Sequence, residues 1–402
     1  MKILFAGTPA IAVPALRAVA ASYMVVGVLT NPDRTAGRGR ELSFSPVKDA
    51  ALELGLPVMQ PEKLDAVFRE TVRKLEPELL VAFAYGRIFG PRFLECFPRG
   101  GVNLHPSLLP RYRGPSPINA AILNGDTQAG ITVQSLALEM DAGDIIMQES
   151  FPLTGKETAE SLGETAAHRG ALLLVQALDR IAAGKESRRP QDPAGVTYCG
   201  LLDRDQGKID WKNSAVHIER MVRAFDPWPG VWTAFHGSAL RILAAAALPD
   251  EASDAGCPHA RADGAPASGA PRAHRMPEGL RARDSGGAIA PATINFLSES
   301  DRLRARDCSG KPTGFPVGKA EDLERKARFF AEQKRRPENS DEAEITPGKV
   351  LGVDTRRGIL VQTGEGLLAV GRLQLASKKA MDFAAFLNGA REFVGSVLGD
   401  TK

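Results

Sequence analysis

Over the first 150 residues short apolar runs alternate with stretches of helical periodicity. The runs are KILFAG at 2–7, VVGVLT at 25–30, ELLVAFAY at 78–85 and GGVNLH at 100–105. Runs this short, bounded by turn residues and separated by amphipathic segments, predict strands covered on both faces. The class is α/β, a Rossmann-like doubly wound sheet. Helices are expected over Pro9 to Ala20, over Pro46 to Leu54 with Gly55 as the stop, and over Glu62 to Leu75. Each crossover is long enough for parallel pairing. AGITVQSLAL at 129–138 and DIIMQESFPL at 144–153 read as an antiparallel pair added at an edge, and Thr158 to Lys185 as one long amphipathic helix. A first domain is therefore expected over 1–186.

SRRPQDPAG at 187–195 is polar and proline-bearing, which marks a linker over 187–204. In the second domain, 205–402, a helix is expected at 214–225. Strands are expected at 231–235, 238–246, 349–354, 358–363 and 366–374, with glycine-containing turns between them. Several short strands with regular turn signals suggest a small OB-like β-barrel. Residues 251–346 interrupt it with a segment rich in Ala, Gly, Pro and charge that contains neither tryptophan nor tyrosine. Such a segment buries too little apolar surface to offset its ordering entropy, so it reads as a disordered, solvated insert, with one helix at 320–336.

Composition narrows the picture only slightly. A chain of 402 residues that is 43% hydrophobic supports one large core and a smaller one. The four cysteines stand far apart with no CxxC pair, so neither a zinc site nor a disulfide framework is expected. No apolar run approaches the ~20 residues that span a bilayer, and Gly7, Thr8 and Pro9 interrupt the opening apolar stretch. The expectation is a soluble, cytoplasmic monomer without membrane contact. A net charge of +3 is too small to indicate a nucleic-acid partner, which leaves local clusters to decide. GTPAIA after the first strand, in place of G-x-G-x-x-G, sets aside a nucleotide-dependent dehydrogenase.

Chemistry concentrates between Gly101 and Asp144. Asn103 and His105 sit two apart at the end of an expected strand, so both side chains face one way, where sites open in such sheets. Asp141 follows in MDAGD, a turn-like break with no capping duty. Asn, His and Asp form an acyl-transfer set. An amide and an imidazolium stabilise the oxyanion of a tetrahedral intermediate, and the carboxylate raises the basicity of the imidazole and holds a proton-carrying water. No G-x-S-x-G elbow is present, which fits direct attack by an amine. A second cluster is TNPDRTAGRGRELSFSPVK at 30–48, where Arg34, Arg38, Arg40 and Lys48 line an irregular loop with positive charge.

NLHPSLLPRYRGPSPI, followed 36 residues after the histidine by LEMDAGD, resembles the signature of folate-dependent formyltransferases, most closely the methionyl-tRNA formyltransferase family. The resemblance implies catalytic roles for Asn103, His105 and Asp141 and a 10-formyltetrahydrofolate co-substrate, with no metal. It also implies folate contacts from Ser107, Leu108, Leu109 and Pro110 and a pterin pocket along the backbone of 83–88. The 30–48 loop is similar to one that engages the acceptor arm of tRNA, with Arg38 the important arginine. KIDWKNSAVHIERMVRAFDPWPGVWT at 208–233 and the stretch 358–389 resemble that family's carboxy-terminal domain, in which Lys378 and Lys379 fit phosphate contacts. Trp211, Trp228 and Trp232 read as packing residues. The acceptor implied is initiator methionyl-tRNA; a small amine acceptor and a nonenzymatic RNA-binding module remain open alternatives.

Overall fold

The computed structural model describes residues 1–36, 41–248, 346–390 and 392–399. Strands β1 (Lys2–Gly7), β2 (Met24–Leu29), β5 (Val58–Met59), β6 (Leu79–Phe83), β7 (Gly101–His105), β8 (Gln128–Ser135) and β9 (Ile145–Pro152) form one sheet in the order β5-β2-β1-β6-β7-β8-β9. Pairing is parallel from β5 to β7 and antiparallel from β7 to β9. Ile3, Leu4, Phe5 and Ala6 are all fully buried, as expected of a strand covered on both faces.

Helices α1 (Val13–Ser22), α2 (Pro46–Glu53), α3 (Ala66–Lys74), α4 (Pro91–Leu94), α5 (Pro117–Asn124) and α6 (Ala159–Ala182) cover this sheet. α3 starts later than expected because the Asp65 carboxylate accepts from the Phe68 amide and fixes the N-terminus there. α5 was not anticipated, although it carries proline in its first turn and ends on Gly125 at φ 65°. α6 opens with a reciprocal cap between Thr158 and Ser161 and buries a stripe from Leu162 to Ile181. Gly170 on that stripe lets α6 approach β7: a Cβ there would stand 2.8 Å from Leu104 Cδ2. Burial of Leu104 against this helix contributes about 2–3 kcal/mol and fixes the strand that bears Asn103 and His105.

The 30–48 region differs from the irregular loop expected. Arg34–Ala36 (β3) and Glu41–Ser43 (β4) pair antiparallel, Arg34 opposite Ser43 and Ala36 opposite Glu41.

α7 (Ala215–Ala224) leads into a second, antiparallel sheet. β10 (Val231–Phe235), β11 (Ser238–Leu248), β12 (Val350–Asp354), β13 (Gly358–Gln362) and β14 (Leu367–Leu375) run in the order β10-β11-β14-β13-β12, with β15 (Met381–Asp382) on β14 and α8 (Phe383–Gly389) after it. Among the described residues no pairing joins β10 to β12, so the antiparallel sheet is shown and the closed barrel expected is not. Register shifts between Ile242 and Ala245 mark bulges that bend the 11-residue β11. One buried apolar cluster runs from Ile3 to Leu398 through both sheets. It is bridged where Asn119 on α5 donates to the Ala224 carbonyl ending α7 at 2.6 Å. The expected helix at 320–336 and all but the last residue of the 251–346 segment lie outside the described residues.

Candidate active site

The site forms at the carboxyl ends of the parallel strands. Cross-strand pairing sets Asn103 beside Gln134 and His105 beside Thr132, so four polar side chains share one face of an otherwise apolar β7–β8 pair. Thr132, Gln134 and His105 are buried at 0%, 2% and 5% exposure. Leu104 alternates to the other face, under α6.

Asp141 closes over this face. Its Oδ1 accepts from Gln134 Nε2 at 2.9 Å and Asn103 Nδ2 at 3.3 Å, and lies 3.6 Å from His105 Nδ1. Its Oδ2 accepts from the Gly114 amide at 2.9 Å. The structure thus brings Asn103, His105 and Asp141 together. The other imidazole nitrogen, Nε2, faces the Tyr112 carbonyl at 2.8 Å; a carbonyl only accepts, so Nε2 carries its proton and Nδ1 is the nitrogen turned toward Asp141. Tyr112 is anchored in turn: its hydroxyl donates to Asp126 at 2.9 Å and accepts from Asn124. Burial, followed by the Asp126 bond, pushes its phenol above the usual tyrosine range.

Ser107, Leu108, Leu109 and Pro110 build the turn that follows His105. Ser107 Oγ donates to the Arg111 carbonyl at 2.7 Å, the Ser107 carbonyl accepts from Thr132, and the Leu109 amide and carbonyl bond to Thr132 and Gln148. The Ser107 hydroxyl and carbonyl and the Leu109 amide and carbonyl are therefore satisfied within the protein. Ser107 and Leu108 line a small cleft with Ile118, Ala121, Phe151 and Leu162 on the α6 side of the sheet, away from the Asn103 and His105 side chains. Beside the triad, the 83–88 backbone is held by Thr8 and Asn31, which both donate to the Tyr85 carbonyl. Ile88 on this loop and Leu138 and Met140 on the Asp141 loop are left 78%, 66% and 53% exposed.

The basic residues are described only in part. Lys48 lies on α2, paired with Asp33 and over the Phe44 ring. Arg34 is on β3, while Arg38 and Arg40 lie outside the described residues. Lys378 and Lys379 are exposed in the turn between β14 and β15, with no carboxylate in ion-pair range among the described residues. Trp211 is buried and donates to Thr233 at 3.0 Å, and Trp232 is partly covered, but Trp228 is 57% exposed and is not the packing residue expected.

Reasoning from sequence missed Gln134, Gly114 and Gln191. The first had a signal, since polar Thr132 and Gln134 fall on one face of an apolar strand. Gln191 had none, because it sits in a proline-rich linker.

A family model described as formyl transferase matches residues 1–178, and one described as formyl transferase, C-terminal domain, matches 201–266 and 322–391. Methionyl-tRNA formyltransferase of Treponema denticola is 34% identical over 402 residues, covering 98% of this chain and 98% of that protein. The enzyme of the same name from Chloroflexus aggregans is 48% identical over 255 residues, 63% of this chain and 82% of the relative. HypX from Aquifex aeolicus, at 13% identity and a TM-score of 0.50, covers 98% of this chain and 50% of that one, a likeness of fold alone. With both formyl transferase models matched in order and a relative aligned along nearly its whole length, the chain belongs to the methionyl-tRNA formyltransferase family.

Proposed function

We propose that this chain transfers the formyl group of 10-formyltetrahydrofolate to the α-amino group of methionyl initiator tRNA, acting in the cytoplasm as a monomer. The observation that carries this reading is the convergence of Asn103, His105 and Asp141 at the end of β7, with Asp141 Oδ1 shared between Asn103 and Gln134 and facing His105 Nδ1.

The amine attacks the formyl carbon, a new C–N bond forms, the bond to the donor nitrogen breaks, and one proton passes from the attacking to the departing nitrogen. Asn103 retains a second amide N–H suited to the oxygen that gains charge, and His105, with Nε2 already protonated, serves that oxygen through Nδ1 only as the N–H of an imidazolium. Asp141 orients His105 and accepts the proton in transit, directly or through one water. The folate co-substrate fits beside them: the apolar Ile88, Leu138 and Met140 side chains, left outside the core, suit a flat heteroaromatic ring. Ser107, Leu108, Leu109 and Pro110 act on folate binding by shaping the turn that leaves His105, with the Ser107 hydroxyl and the Leu109 amide and carbonyl bonded internally. Arg34, Arg38, Arg40, Lys378 and Lys379 contact tRNA phosphates. The division into a catalytic region, 1–186, a linker, 187–204, and a tRNA-binding region, 205–402, with an insert at 251–346, follows the same assignment.

The test is formyl transfer from 10-formyltetrahydrofolate to charged initiator tRNA, run beside amino sugar nucleotides and glycinamide ribonucleotide. Transfer to the tRNA alone, weakened by Arg38→Ala, is expected; transfer only to a small amine overturns the acceptor assignment.

A further inference from the structure

Gln191 comes from a stretch that reads as a linker, yet it is only 9% exposed. Its amide nitrogen donates to the main-chain carbonyls of Asp141 at 2.7 Å and Gly143 at 2.8 Å, and lies 3.3 Å from Gln134 Oε1. Its oxygen accepts from Arg113 Nε at 3.0 Å. Arg113 is itself buried and belongs to the loop that runs from His105 through Tyr112 to Gly114. One side chain therefore spans the two segments whose separation sets the His105–Asp141 distance.

Asp141 needs such a brace. Its φ of 51° is left-handed, an uncommon conformation for a residue with a Cβ even though Asp adopts it more readily than most. Gly143 contributes no side chain to the loop, and a Cβ there would stand 1.7 Å from the Ser135 carbonyl oxygen. The far end of the loop is also tied to the linker, where Ile145 and Arg189 exchange amide-to-carbonyl bonds at 2.8 and 2.9 Å. Rotation of the Asp141 main chain would carry its carboxylate away from Gln134 and the Gly114 amide together.

We infer that Gln191 is a positioning residue for formyl transfer, holding the Asp141 main chain in the conformation that presents the carboxylate to His105 and Asn103. This rests on the reading of Asp141 as catalytic. The linker is, on this account, a structural member of the active site.

The test uses the full chain, with kcat and KM measured for formyl transfer to charged initiator tRNA and tetrahydrofolate binding and melting temperature measured alongside. Gln191→Met removes the donor and acceptor at similar volume; Gln191→Glu keeps the volume and the Arg113 contact but loses the donor to the two carbonyls. Both are expected to lower kcat roughly 10- to 100-fold with KM and tetrahydrofolate affinity within about 3-fold, since misplacement of a catalytic group acts on the reacting geometry. In an Asp141→Asn background, Gln191→Met is expected to cost less than about 3-fold more, because residues that act as a unit are not additive. A purely packing role predicts that Gln191→Glu keeps wild-type kcat, or that the losses multiply; either result, with Asp141→Asn slowed about 100-fold or more but still measurable, overturns the inference and leaves the catalytic reading standing. An active Asp141→Asn enzyme overturns that reading instead.

Discussion

Gly114 stands between Cys199 and the Asp141 carboxylate, and Gly114→Ala tests that joint. The residue has φ 111°, and a Cβ would lie 2.2 Å from the Cys199 carbonyl oxygen, well inside contact distance. Neither neighbour yields cheaply: Cys199 is bonded to Arg113 through its amide at 2.8 Å, and Gly114 donates to Asp141 Oδ2 at 2.9 Å. The disfavoured backbone costs about 1–3 kcal/mol. Losing the amide-to-carboxylate bond costs about 1.5–3 kcal/mol, less about 0.4–1 kcal/mol recovered from the stiffer unfolded chain. The net is roughly 2–5 kcal/mol, which lowers the melting temperature by about 5–15 °C for a unit of this size. A displaced Asp141 also lowers the formyl transfer rate by about 100-fold at temperatures where the variant is folded. Circular dichroism melts and single-turnover transfer assays measure the two effects. A variant that melts within about 2 °C of wild type and reacts within about 3-fold of its rate refutes the reasoning.

Leu104→Ala opens a void between β7 and α6 and is expected to cost about 2–5 kcal/mol in urea unfolding; an unchanged midpoint contradicts the packing described. Hydrogen bonds from Lys48 and then Gln60 hold the Asp33 carboxyl below its ordinary value of 3.8, so its contribution is full above that value and is lost as pH falls through the lower folded value. Asp33→Asn is accordingly less stable than wild type at pH 7, and the gap between the two urea midpoints narrows as pH falls below about 4; a gap undiminished at pH 2 contradicts the linkage. Burial pushes the Cys199 thiol up from its ordinary value of 9.0. Iodoacetamide labelling of Cys199, read by peptide mass spectrometry, is expected to be slower at pH 7.5 than that of a free cysteine and to accelerate with pH; rapid labelling at pH 7 contradicts its burial.

The alternation of apolar runs and amphipathic helices made the first sheet legible, because strands covered on both faces are written as continuous apolar stretches such as KILFAG. β5 escaped because two residues carry no pattern, and α5 because its proline-rich approach reads as loop. The strands of the second sheet were legible from their turns. Whether its edges close was not, since closure depends on pairing between distant strands rather than on local periodicity. Asn103 and His105 could be set on one face from their spacing alone. Gln191 could not, because its function comes from two carbonyls and an arginine 48 to 78 positions away. The pairing of Lys48 with Asp33, 15 residues earlier, was likewise not legible in the local pattern.

The measurement that bears most directly on the central claim is single-turnover formyl transfer to charged initiator tRNA by His105→Ala and Asp141→Asn, with tRNA and tetrahydrofolate binding measured on the same preparations. The account predicts rates lowered by about 100- to 10,000-fold with both affinities kept within about 3-fold. Rates within about 3-fold of wild type, for variants that bind both ligands, would show that these residues do not carry the transfer.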